Sequence, residues 1–359
     1  MVLDSPSSCI LQRDVTVIIT TSPARSDPDI DLVRATVLSL ELAGLAQCRT
    51  ILVCDHFEAA SAGSKCSEHG GVLSADRVRS YRARLDALRH AEFTSSRHMN
   101  MEFLELQSWH GFALATFAAL KLVNTPLVCV VQHDLCFLRP VNLLPVAQLL
   151  FSSQQRREQH LPVNCVALPK RGAGRYRETL RSRTGLEVGT PLAWEALSQP
   201  SMTAFDAQDT RALRLTRLPQ FLDGTHLASV QWYRTIFERP LLHGRLISVG
   251  QFTEDVLGQY MLQRAIEQTI VKPGAPASEG VLQVCAEFGT WLWSDGEEPP
   301  IYHLDSRVFL SDEERERRGI PAKDTRYRVA AQTTAAGALA RKRIAAQAFL
   351  RFLRSFLDE

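Results

Sequence analysis

The chain has 359 residues, of which 45% are hydrophobic, 22% charged and 8% aromatic. This is the composition of a core-bearing globular protein of enzyme size, and it excludes a disordered tail, a collagen-like chain and a disulfide-dense miniature. Forty-one basic residues against thirty-nine acidic leave a formal charge of +2, so no global basic field exists to hold nucleic acid.

The eight cysteines form no C-x-x-C pair, which excludes a zinc knuckle and a thioredoxin-type motif. Cys54 and Cys129 stand in apolar runs and read as small core residues. The scattered spacing points to a reducing compartment. No span approaches the ~18 uncharged apolar residues of a transmembrane segment, and Met1 to Asp14 has no apolar run of signal-peptide length. The expectation is a cytoplasmic protein, or a soluble form from which a targeting segment was removed.

The β-branched run Val15 to Thr20, closed by Thr21-Ser22-Pro23, reads as a buried parallel strand. Asp31 to Leu45 reads as an amphipathic helix with Leu32, Val33, Val37 and Leu40 on one face and Gly44 near its end. Thr50 to Cys54 is a second buried strand, completing a β-α-β unit that ends at Asp55-His56. Residues 58–74 read as a surface loop and Ala75 to His90 as a helix with an arginine-rich face. That face is read as solvated, with contact to a diphosphate or an acidic acceptor as the alternative. Ser108 to Val123 reads as a buried helix broken by Asn124-Thr125-Pro126, and Leu127 to Val131 as the most apolar strand, ending in Gln132-His133-Asp134.

Pro140 to Glu158 reads as a helix or a pair of turns, and Asn164 to Leu168 as a short strand. Lys170 to Arg175 is a basic glycine loop, either an exposed turn or a phosphate cradle. Arg211 to Phe237 reads as short strands and turns, Thr253 to Thr269 as a helix and Gly289 to Trp293 as a strand. Ala330 to Leu357 reads as an amphipathic helix that packs on the core, with peripheral contact to an anionic membrane or a partner as the alternative. The alternation predicts an α/β, Rossmann-like doubly wound core with a mostly parallel sheet flanked by helices.

In such sheets ligands bind outside the carboxyl ends of the parallel strands. That selects Thr20, Thr21 and Ser22 after the first strand, Asp55 after the second, and His133 and Asp134 after the Leu127–Val131 strand. These clusters converge on one rim if the three strands are parallel neighbours; otherwise they only cap strands entering loops. No G-x-G-x-x-G follows the first strand, no G-x-x-x-x-G-K-[ST] is present, and neither G-x-S-x-G nor H-E-x-x-H occurs. A dinucleotide-dependent oxidoreductase, a P-loop enzyme and an α/β-hydrolase are thereby disfavoured.

The strand ending in Ile19-Thr20-Thr21-Ser22-Pro23, the second ending in Asp55 and the third ending in Gln132-His133-Asp134 resemble a glycosyltransferase of the GT-A fold, family 2-like. Gln132-His133-Asp134 looks like a degenerate D-x-D motif. Phe252-Thr253-Glu254-Asp255 opens a helix as the x-E-D motif of such enzymes does, and Ile301 to Arg307 is placed like their C-terminal histidine segment. The resemblance covers residues 15 to 307. It implies a nucleotide-diphosphate sugar as donor, an acceptor of unspecified class, and Mn²⁺ or Mg²⁺ held by Asp134 and His303. It further implies that Thr20, Thr21, Ser22, Asp55, His133 and Arg307 hold the donor, with Asp255 as acceptor-activating base and Glu254 as its fallback.

The expected organisation is an N-terminal tail (1–14), a catalytic domain (15–310, with a nucleotide-binding half 15–138 and an acceptor half 139–310) and a C-terminal helical extension (311–359). Acidic residues in a helix's first turn also complement its dipole without any catalytic role. Trp291 and Trp293 share one strand face and would either stack on a sugar or fill the core. The alternative function is a non-catalytic nucleotide- or sugar-binding module that has lost its first carboxylate at Gln132. A nucleotidyltransferase ranks third.

Overall fold

The computed structural model describes residues 6–22, 31–56, 100–155, 161–170, 176–193, 213–238, 247–270 and 278–304, with single residues of 79–86 and residue 276. Nine strands form one sheet: β1 (Val15–Thr21), β2 (Arg49–Cys54), β3 (Met101–Glu105), β4 (Leu127–Gln132), β6 (Cys165–Ala167), β7 (Leu192–Ala193), β8 (Arg214–Arg217), β9 (His226–Ser229) and β10 (Thr290–Ser294). Their order is β3-β2-β1-β4-β9-β6-β10-β8-β7, and β5 (Leu135–Phe137) pairs separately with β11 (Ile301–His303).

The half β3-β2-β1-β4 is parallel throughout, as the β-α-β reading requires. Beyond it the sheet is mixed: β9 runs antiparallel to both β4 and β6, β10 is parallel to β6, and β8 is antiparallel to β10. Parallel character is thus concentrated where the nucleotide-binding half was expected.

Both faces of the sheet are covered, which is why its central strands read as unbroken apolar runs. Val15, Val17 and Ile19 of β1 point into one core with α1 (Pro6–Asp14), α2 (Asp31–Ser39) and α4 (Leu144–Gln155). Ile18 points into the other core, against α3 (Gly111–Leu120), α6 (Val230–Glu238), α7 (Gln259–Ile270) and α8 (Glu279–Phe288). Helix α5 (Tyr176–Thr184) buries only Leu180. Helix α2 runs on into a 3₁₀ turn over Leu40–Ala43, closed by Gly44 in the left-handed region at φ 67°, where glycine carries no steric penalty.

Several elements differ from the expectation. The segment expected to be a tail contains α1, whose Leu11 is buried. The end of the region expected to be strands and turns is helical: Tyr233, Ile236 and Phe237 of α6 recur at helical spacing and are all buried, so packing overrides their strand propensity. The sequence reading contains no counterpart of strands β3, β5, β7 and β11 or of helices α5 and α8. Trp291 and Trp293 are 0% and 3% exposed, which makes them core residues and removes them as a sugar platform. Residues 57–78, 171–175 and 305–359, which hold the expected loop, most of the basic glycine loop, Arg307 and the C-terminal helix, lie outside the described residues.

Candidate functional site

The parallel register places the ends of β1, β2 and β4 side by side: Thr21 is opposite Cys54, and Thr20 is opposite Gln132. The carbonyl of Thr21 accepts the Asp55 N–H (2.9 Å) and that of Thr20 accepts the His133 N–H (3.1 Å). The three polar clusters therefore do share one rim. Thr20 and Thr21 are buried, and the Thr21 hydroxyl bonds the Tyr81 hydroxyl, while Ser22 and His133 are half-buried.

Asp55 has a specific task at this rim. Its Oδ1 accepts the His110 N–H (2.9 Å) and its Oδ2 the Gly111 N–H (2.7 Å). These are amides at the start of α3, which has no side-chain cap of its own. A carboxylate there meets orphan donors and the positive end of the helix dipole. Burial raises its pKa above the ordinary value, opposed by those amide bonds. With its side chain 6% exposed, Asp55 is occupied by the helix rather than open to a ribose. The turn is tight: Gly111 lies at φ 77°, and a Cβ there would come within 2.4 Å of the Gly250 Cα.

His133 and Asp134 form the turn between β4 and β5. The Thr36 hydroxyl of α2 donates to the His133 carbonyl (2.7 Å), and the Asp134 carbonyl accepts the Leu304 N–H (2.7 Å). Antiparallel pairing puts His303 opposite Leu135. Buried Leu32, Cys136, Tyr302 and Leu304 cluster beneath that pair. The result brings together two residues 169 positions apart in the chain: Asp134 Oδ2 lies 3.3 Å from His303 Nε2. Asp134 Oδ1 and His303 Nδ1 are buried and have no hydrogen-bond partner among the described residues.

Two neighbouring ligands of one octahedral cation bound at about 2.1 Å stand about 3 Å apart, so this pair fits two corners of such a site. Among the described residues no group of three His, Cys, Asp or Glu gathers that could hold a metal. A cation here would need further oxygen ligands from what binds beside it.

Glu254 and Asp255 open a π-helical turn, Glu254–Gly258, that leads into α7. Asp255 is exposed, whereas Glu254 is engaged: its Oε2 accepts the Asp223 N–H (3.2 Å) and its own N–H donates to Asp223 Oδ2 (2.7 Å). Asp223 was not foreseen, because Asp-Gly before a strand reads as a turn signal. It is 4% exposed, and burial, with the Glu254 and Asp255 carboxylates nearby, pushes its pKa well above the usual carboxylate range. The stem of Lys170 lies along the same loop: a Cβ on Gly224 would stand 3.5 Å from its Cε.

Beneath that loop, the Nδ1–H of neutral His226 donates to the Gly224 carbonyl (2.7 Å) and its Nε2 accepts the Tyr233 hydroxyl (2.7 Å). Complete burial pushes its imidazole from 6.5 down to about 4. The unfolded chain therefore gains a proton as pH falls below 6.5 that the folded chain refuses until about 4, and stability declines across that window. The decline attributable to His226 amounts to about 3 kcal/mol and ends below the folded value. His226→Gln should flatten this part of the acid slope in urea unfolding compared at neutral pH and at about pH 4.5. An unchanged difference between the two proteins would show that His226 does not fold neutral.

No family model matches the chain, and no curated protein does. Among solved structures, a mannosyltransferase of Pyrobaculum calidifontis in complex with GDP-Man and Mn²⁺ is similar at 14% identity and a TM-score of 0.37, over 77% of this chain and 69% of that one. GalNAc-T7 with UDP, GalNAc and Mn²⁺ is similar at 12% identity and a TM-score of 0.42, over 81% and 44%. A Bacillus anthracis protein described as a glucose-1-phosphate thymidylyltransferase is similar at 8% identity and a TM-score of 0.35, over 70% and 84%. The likeness is one of fold. At these identities and scores it assigns no residue a role, and it extends over transferases of different kinds.

Proposed function

We propose that the chain transfers a sugar from a nucleotide-diphosphate sugar to an acceptor hydroxyl, with a divalent cation, Mn²⁺ or Mg²⁺, at the Asp134–His303 pair. The observation that carries this reading is the pair itself: a carboxylate and an imidazole converge at the rim formed by the ends of β1 and β4, each keeping a buried polar atom without a partner. Once bound, the cation would neutralise charge that develops on the departing diphosphate.

The chain's own residues divide the remaining tasks. Half-buried Ser22 and His133 receive the nucleoside over the buried Thr20 and Thr21, and Asp55 fixes the shape of that rim by holding the start of α3. The Lys170 ammonium, packed along Gly224, adds positive charge on the diphosphate side, and Arg307 is assigned to the same side from the sequence alone. Asp255, exposed at the first turn of its helix, takes the acceptor's proton as the acceptor oxygen bonds to the anomeric carbon. The bond from that carbon to the diphosphate oxygen breaks, and the nucleoside diphosphate leaves. Glu254, spent on Asp223, is the lesser candidate for the base.

Thermal shift with UDP, GDP, CDP and their sugars, with and without Mn²⁺, tests this reading. Because the described residues offer the cation two side chains, Mn²⁺ alone should stabilise little, and one nucleotide with Mn²⁺ should raise Tm by several degrees. A nucleotide shift indifferent to metal would remove the cation from the proposal. A flat response to every combination would overturn it.

A further inference from the structure

We infer that Gln132 is a positioning residue that ties the rim carrying Asp134 to the turn carrying Asp255. Gln132 is the last residue of β4, two positions before Asp134. Its Nε2 donates to the Asp223 carbonyl at 2.7 Å. Antiparallel pairing of Val130 with His226 brings the end of β4 alongside residues 223 and 224, so the bond follows from the sheet register. Only an N–H or O–H can satisfy a carbonyl, so a carboxylate at position 132 would face it acceptor to acceptor. Glutamine at the first position of the D-x-D-like triplet thus has a reason of its own.

The next link is two-way. The Asp223 carboxylate accepts the Glu254 N–H at 2.7 Å, and the Glu254 carboxylate accepts the Asp223 N–H at 3.2 Å. The turn that Glu254 opens is π-helical, a geometry that tertiary contacts must hold and that recurs at functional sites. Gly258 permits it: a Cβ there would lie 2.6 Å from the Phe221 carbonyl oxygen, a separation that real Cβ atoms do not adopt. From below, His226 holds the Gly224 carbonyl and Tyr233 holds His226. Gln132, Asp223 and Glu254 therefore form a continuous chain of hydrogen bonds from the end of β4 to the residue before Asp255.

The effect on turnover rests on the proposed role of Asp255, whereas the link itself does not. Hydrogen exchange on the full chain tests the link with Gln132→Met, which keeps the volume, and Gln132→Glu, which keeps the shape and loses the donor. Stranding the buried Asp223 carbonyl should speed exchange of the 254–258 amides by about tenfold, with β1 and β4 unchanged. Gly258→Ala should loosen the same amides from the other side. Undisturbed protection of 254–258 in both Gln132 variants would overturn the inference.

If the chain transfers sugar as proposed, both Gln132 variants should lower kcat by about tenfold with the donor KM held within about twofold. A purely stabilising role would leave kcat of the folded fraction unchanged. A wild type that binds no nucleotide would sink the proposed function, while the exchange result would still decide the link.

Discussion

Asp255→Asn is expected to lower turnover by about 10²–10⁴-fold while donor binding stays within about twofold, because it removes a proton acceptor and nothing the donor touches. The residue is exposed at the opening of the π-turn, and Glu254, its neighbour, is occupied by Asp223. Asparagine preserves size and the helix start, so the fold should hold. The decisive comparison is with Glu254→Gln: if Asp255 is the base, the loss at 255 should far exceed the loss at 254. Equal turnover of wild type and Asp255→Asn, at unchanged Tm, would remove Asp255 from the chemistry.

The second large effect is expected at the metal pair. Asp134→Ala and His303→Ala should each abolish the Mn²⁺-dependent part of nucleotide stabilisation, corresponding to weakening of about 100-fold or more, since each removes half of the side-chain ligands the described residues offer. Both side chains are partly exposed, at 16% and 33%, so neither truncation opens a core cavity and Tm without ligand should move little. The double variant should be no worse than either single one, because one remaining ligand holds the ion hardly better than none. Retention of the metal-dependent shift in both single variants would place the cation elsewhere or remove it.

Several parts of this arrangement were legible in the residue string, for a definite reason. Strands β1, β2 and β4 are buried on both faces, so their β-branched runs needed no partner to be recognised. Helix α2 announced itself by the spacing of Leu32, Val33, Val37 and Leu40 and by its glycine stop. Strand β3 did not, because its side chains are half-buried or exposed and carry too little alternation to stand out. Helix α6 was misjudged because Val230, Trp232, Tyr233, Thr235, Ile236 and Phe237 are strand formers. Only the second core, which buries Tyr233, Ile236 and Phe237 together, decides for the helix.

The amino-acid sequence by itself determined which residues could end up at a strand's carboxyl end: Thr20 and Thr21, Asp55, and Gln132 to Asp134 each close an apolar run, and that is local information. The resemblance of its motifs to those of GT-A glycosyltransferases pointed further to Glu254, Asp255 and His303. Partnership was decided by tertiary structure alone. Asp134 meets His303 because β11 pairs with β5, Asp55 turns to the helix because α3 begins beside β2, and Asp223 enters because β9 returns antiparallel to β4. Each of these contacts joins residues tens of positions or more apart. Sheet register and packing set such distances, and no local pattern in the chain encodes them.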